Sequence, residues 1–200
     1  MKKKSVICLG CLLFSAFLMM SCAGTEVSQI RVDDTYKGQP VSNILVIAIT
    51  GNEHNRRSYE KKFVARLKSV GVDAVASETA LSMPPDLQLK KEAILDAVDQ
   101  YKNDAVVITQ LISKEKEDVF TRGGGRRIGF FSYTRDPGYS TTNTTVRLET
   151  NLYDAKTGKL IWSGQSKTMS SDSTDQIINE VIRAVISNWQ KNKLIATKTS

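Results

Sequence analysis

Beyond position 22 the chain has no cysteine, and in 200 residues it has one histidine, His54. No disulfide can therefore staple the folded part, and no thiolate can ligate a metal there, so the fold must rest on its hydrophobic core. His54 lies in the stretch 51–57, at a predicted strand-to-helix junction where α/β sheets often carry sites. With no second histidine, and with only Glu53 beside it, it makes a poor metal site or catalytic pair and reads as a solvated loop residue. The serine-rich stretch 170–174 has no G-x-S-x-G turn around it. Gly123-Gly124-Gly125 is not followed by a Lys-Ser/Thr pair and lies between predicted strands, unlike a phosphate-binding loop. After residue 22 there is no further long apolar run, and no internal repeat. These absences point away from an enzyme, a cofactor or a metal centre.

What is present begins at the amino terminus. Lys2, Lys3 and Lys4 precede an uncharged, mostly apolar run at 6–20, which Ser21-Cys22 closes. A spanning helix needs about 20 apolar residues, so this segment reads as a secretory signal. It resembles a bacterial lipoprotein signal, whose last residues are a small residue and then cysteine; Ser21-Cys22 match, while Met19 and Met20 depart from the pattern. The resemblance implies cleavage after residue 21 and lipidation of Cys22 by a diacylglyceryl thioether and an N-acyl chain such as palmitate. Two or more chains make such an anchor stable. Ala23 rather than Asp after the cysteine resembles the sorting pattern for an outer membrane, with the domain facing the periplasm. Without Lys2, Lys3 and Lys4 the 28 basic residues fall to 25 against 21 acidic, a net +4. That mild excess gives no reason to expect nucleic acid as a partner.

The rest of the chain is long enough for one domain with a sizeable core. Residues 22–40 read as a polar, lipidated tether with a possible edge strand around Ile30 and Val32. The run 44–49 (ILVIAI) predicts a strand buried on both faces. A helix over 55–70 follows, with Tyr59, Phe63, Leu67 and Val70 inward and Arg56, Arg57 and Lys61 outward, stopped by Gly71. A short strand at 72–76, a loop at 78–88, a helix over 86–101 capped by Asp86 and a strand from 104 to about 120 come next. Val146, Leu148 and Leu152 alternate with Arg147, Glu149 and Asn151 in a half-exposed strand, and a turn at 154–158 returns the chain along 159–166. Ser173 and Gln176 resemble a capping box before a helix whose inner face is Ile177, Ile178, Val181, Ile182, Val185, Ile186 and Trp189. Trp162 and Trp189 read as core, and residues 191–200 as a basic, frayed tail. The expected fold is α/β (α+β): one domain over 41–190, in the order β-α-β-α-β-β-β-α, with a mixed sheet covered by about three helices.

The least explained stretch is 121–143, read as a loop forming an extended hairpin. It gathers Arg126, Arg127 and Arg135 with Phe130, Phe131, Tyr133 and Tyr139. Two readings stand side by side. In one it is a solvated hairpin tip. In the other it contacts a protein or a membrane, with arginines meeting anionic groups and aromatics inserting. An exposed Phe-Phe pair would otherwise be a liability.

Residues 152–162 (LYDAKTGKLIW) resemble the hairpin of small envelope lipoproteins of a domain-of-unknown-function grouping. The predicted element order is similar to that of the periplasmic domain of the curli secretion lipoprotein and the N-terminal domain of TolB. The resemblance covers about 41–190 and carries no catalytic residue. It implies a non-enzymatic, membrane-anchored protein that assembles with itself or with other envelope proteins. The alternative is a periplasmic accessory protein that binds a glycan or small ligand through Arg126, Arg127 and Tyr139.

Overall fold

The computed structural model describes residues 25–36, 38–81, 89–121, 125–128, 132–135, 139–170 and 173–196. In chain order the elements are β1 (Glu26–Val32), β2 (Asn43–Ile49), α1 (Glu53–Ser69), β3 (Asp73–Ala76), α2 (Ser77–Ala80), α3 (Lys91–Tyr101), β4 (Ala105–Thr121), β5 (Gly125–Ile128), β6 (Ser132–Arg135), β7 (Tyr139–Asp154), β8 (Leu160–Ser170) and α4 (Thr174–Lys191). Six strands form one mixed sheet in the order β1-β8-β7-β4-β2-β3, and β5 and β6 pair separately. β3, β2 and β4 are parallel, joined by helical crossovers; β4, β7, β8 and β1 are antiparallel. This is the single α/β domain with a mixed sheet that the pattern of runs and alternations predicts.

Each face of the sheet has its own core. Ile44, Val46 and Ala48 of β2 pack with Phe63 and Leu67 of α1 and the inner face of α4. Leu45 and Ile47 face the other way, against Ala97 and Val98 of α3. The unbroken apolar run of β2 exists because both faces need it. All seven apolar residues expected on the inner face of α4 are buried, and Ser173 Oγ accepts the Gln176 amide as its cap.

The 152–162 hairpin is fixed by its own side chains. Asp154 Oδ1 accepts from the Thr157 amide and hydroxyl, both at 2.6 Å. Gly158 takes φ +69°, where a side chain would be strained. Trp162 then lands fully buried, donates from Nε1 to Asn188 Oδ1 at 2.9 Å and meets Trp189 edge to face at 5.7 Å. Gly164 leaves room for that indole, since a Cβ there would come within 2.6 Å of the ring.

The possible edge strand within 22–40 is present as Glu26–Val32, at the edge of the sheet and paired with β8. Other expectations change. Arg56, expected outward, is buried. The first turn of the expected loop at 78–88 is helical, as α2, and Asp86 lies outside the described residues. Within 121–143, read as a loop forming an extended hairpin, the described residues are strand: β4 runs to Thr121, β5 and β6 pair with each other, and β7 starts at Tyr139. Nor does the tail fray at residue 191. Leu194 and Ile195 are buried, Val41 N–H donates to Leu194 O at 2.8 Å, and Ala196 N–H donates to Val41 O at 3.2 Å.

Candidate interaction arm and the clefts of the sheet

β4 and β7 outrun their neighbours. β2 last pairs with β4 at Ile49↔Gln110, and β8 last pairs with β7 at Thr144↔Ser170. Among the described residues, the rungs from Glu117↔Asn143 to Thr121↔Tyr139 therefore pair with no third strand. They form a two-stranded arm extending about 15 Å at the usual strand rise. An irregularity between Leu111 and Ser113 marks its base, where Leu111 is 42% and Ile112 46% exposed. The rungs beyond alternate charge on β4 (Lys114, Glu115, Lys116, Glu117) with Thr145, Thr144 and Asn143 on β7. Charged free edges of this kind discourage indiscriminate strand addition.

The ribbon β5–β6 belongs to the connection between the arm's strands. Arg127 is paired with Tyr133, Arg126 with Thr134 and Gly125 with Arg135, so positions 127, 133 and 135 share one face and 126 the other. Tyr139 stands in the outermost rung of the arm, opposite Thr121. Phe130, Phe131 and the lipidation candidate Cys22 lie outside the described residues. The structure thus places five of the seven candidate loop positions on paired strands.

At the base of the arm a cleft of about 90 Å³ opens between the carboxyl end of β2, the first turns of α1 and α4, and the β4–β7 ladder. Its walls include Ile49, Leu111, Leu148 and Ile178, and its charged lining residue is Lys114. On its floor Tyr59 Oη donates to Thr109 Oγ1 at 3.1 Å, and Thr109 and Thr150 share a hydrogen bond of 3.1 Å. Burial pushes the Tyr59 hydroxyl up to about 12, against the hydrogen bonds to Thr109 and Thr150 that lower it.

Open α/β sheets commonly bind ligands outside the carboxyl ends of adjacent strands whose connections leave on opposite faces. Here that place lies beyond β2 and β3, and the protein fills it. Glu60, fully buried, accepts from Ala48 N–H at 2.9 Å and from Ser77 Oγ at 2.7 Å through Oε1. Arg56 Nη1 approaches the same oxygen at 3.6 Å. β3 pairs with β2 only as far as Val46↔Ala76. The Glu60 carboxylate thus takes an amide of β2 that a longer β3 would have taken. Sequence reasoning missed this group, although Arg56, Glu60, Phe63 and Leu67 follow one helical stripe. Two charges of opposite sign on that stripe, four residues apart, are the signal.

His54 is exposed in the first turn of α1. Among the described residues no group of three or more His, Cys, Asp or Glu could hold a metal ion. Among them, too, no helix is long and apolar enough to cross a membrane.

No protein-family model matches the chain, and no curated protein matches it in sequence. Solved structures do match it. The PelC dodecamer from Paraburkholderia phytofirmans is 13% identical, with 87% of this chain and 99% of that one covered and a TM-score of 0.51. Lipoprotein GNA1162 from Neisseria meningitidis is 17% identical over 75% of this chain and 99% of that one, with a TM-score of 0.43. At 13% identity the likeness to the PelC chain is one of fold: it shares the arrangement of sheet and helices described above.

Proposed function

We propose that this chain is a non-enzymatic lipoprotein of the bacterial cell envelope, held by an acylated Cys22. It would act by assembling, with copies of itself or with other envelope proteins, through the β4–β7 arm. The observation that carries the reading is the arm itself. Five rungs leave the sheet and, among the described residues, have no third strand on either side. An isolated two-stranded ribbon gains little from folding alone, so one kept on a stable body is suited to a partner. The stretch between its strands carries Arg126, Arg127, Phe130, Phe131, Tyr133 and Arg135, a composition common at interfaces. The filled place beyond β2 and β3 agrees with a protein that does no chemistry there. The similar PelC chain is a dodecamer, which favours self-association within this reading. The resemblance to small envelope lipoproteins, the outer-membrane sorting residue Ala23 and the periplasmic orientation belong to the same proposal.

The test is crosslinking in intact cells, comparing wild type, Cys22→Ala and a form with residues 123–139 replaced by a Gly-Ser turn. A defined set of crosslinked species, either the chain itself or named envelope proteins, should be present in the wild type and lost with the replacement. Cys22→Ala should release the protein from the membrane fraction. Crosslinks that persist without the arm tip would overturn the arm as interface. Binding of soluble glycan that is lost on Arg126→Ala with Arg127→Ala, without any crosslinked species, would favour the ligand-binding alternative instead.

A further inference from the structure

At the end of the sheet opposite the arm, a pocket of about 520 Å³ lies among the starts of β2 and β4, the turn after β7 and the end of α3. That volume is in the range of small-molecule sites. Among the described residues three carboxylates line it, Asp99, Asp104 and Asp154, with one cation, Lys156. Two of them are held rigidly. Asp104 accepts from Ser42 N–H and Oγ at 2.9 and 2.7 Å and from Asn43 N–H at 3.0 Å. Asp154 is fixed by Thr157. Their charge stays in place without any swing of the side chains.

The second observation is independent of charge. Asn103, also in the lining, is 6% exposed, and its Oδ1 has no hydrogen-bond partner. The network leaves no choice about which amide atom this is. Asn43 Nδ2 donates to Tyr101 O at 2.9 Å and Lys102 O at 3.1 Å, so Asn43 Oδ1 must accept, and Asn103 Nδ2 donates to it at 2.7 Å. What remains is an unpaired acceptor, shut off from solvent, on a residue that lines a pocket of acceptors. Tyr36 adds an aromatic wall, and its hydroxyl already donates to Gln39 O. The Tyr36 hydroxyl is pushed above its ordinary value, first by burial and then by Asp154 and Asp104, so the field of both carboxylates reaches this wall.

We propose that this pocket binds a primary ammonium group on an alkyl stem. Such a group brings three donors and a positive charge to an acceptor-lined site and packs its stem against an aromatic ring. A bare metal ion fits less well, since no three ligating side chains here are close enough to hold one. The site does not depend on the arm or on assembly.

The experiment titrates the full chain, in nonionic detergent, with cadaverine and with Nα-acetyl-lysine methylamide. It follows backbone amide NMR shifts around Asn103 and uses n-pentanol and valerate as neutral and anionic controls. Saturable shifts are expected with the amines and not with the controls. Cadaverine alone saturating would assign a free small amine, and the blocked lysine alone a lysine side chain. Asp99 and Lys156 are exposed and make no side-chain hydrogen bond or ion pair among the described residues, so their variants should keep the fold. Asp99→Asn should weaken binding about three-fold and Lys156→Gln tighten it by about as much, the range of single exposed charges. Shifts that do not saturate, pentanol binding as well as the amines, or both variants moving affinity the same way would each overturn the proposal.

Discussion

Tyr59 stands where the core meets the arm. Its ring packs tilted against Phe63 at 5.6 Å, and its hydroxyl ends in the Thr109–Thr150 pair under the basal cleft. Burial holds its folded value at about 12, above the ordinary 10, so the neutral form is favoured in the native state. The sign follows. The contribution is whole below pH 10 and is lost as pH rises from 10 to 12, by about 1.4 kcal/mol per unit, or roughly 2–3 kcal/mol in all. Tyr59→Phe should be less stable than wild type at pH 8 by about 1 kcal/mol, for the lost hydrogen bond. By pH 12 it should be the more stable of the two. Urea unfolding of both proteins across that range reads the crossing, and a gap that stays constant would contradict the buried phenol. Tyr59 was legible as a core position from its spacing to Phe63 and Leu67. Arg56 was not, because a charge is assigned outward by default. What reverses the default is Glu60 one turn on, with Ser77, a residue supplied from across the chain.

At the scale of elements, local patterns were readable and distant partners were not. The stripe of α4, the two-faced run of β2 and the D-x-x-T-G turn each carry their evidence within a few residues. The strap formed by Leu194 and Ile195 does not: two apolar residues in a basic tail show no period, and their partner is Val41, near the other end of the fold. The same holds for the arm, where a strand to about 120 is expected from the sequence but its long register with β7 is not. The strap should matter to stability. A chain ending at Asn192 loses the burial of Leu194 and Ile195, together with the bonds to Val41. At about 1.5–3 kcal/mol for each buried aliphatic side chain, the loss should come to about 3–6 kcal/mol. The denaturant midpoint of the shortened chain should fall accordingly, with an unchanged slope. A loss under about 1 kcal/mol would mean that the tail is ornamental.

For the whole molecule, the decisive feature is that the arm and the body are separable. Among the residues whose burial is described, the members of both core clusters lie in the body and at the arm's base. The body should therefore fold without it. Joining Lys116 to Thr144, which face each other across the ladder, by an Asn-Gly turn would excise the outer rungs and close a two-residue hairpin. The melting temperature of that form should stay within about 3 °C of wild type, since a stability change under 1 kcal/mol moves a domain of this size by no more than that. Sedimentation of the intact chain should show mass rising with concentration, and the excised form should stay at the mass of a monomer. A large drop in melting temperature would make the arm a structural element, paired within its own molecule. An excised form that still associates would move the interface to the body. Only unchanged stability together with lost association fits a ribbon whose third strand comes from another molecule.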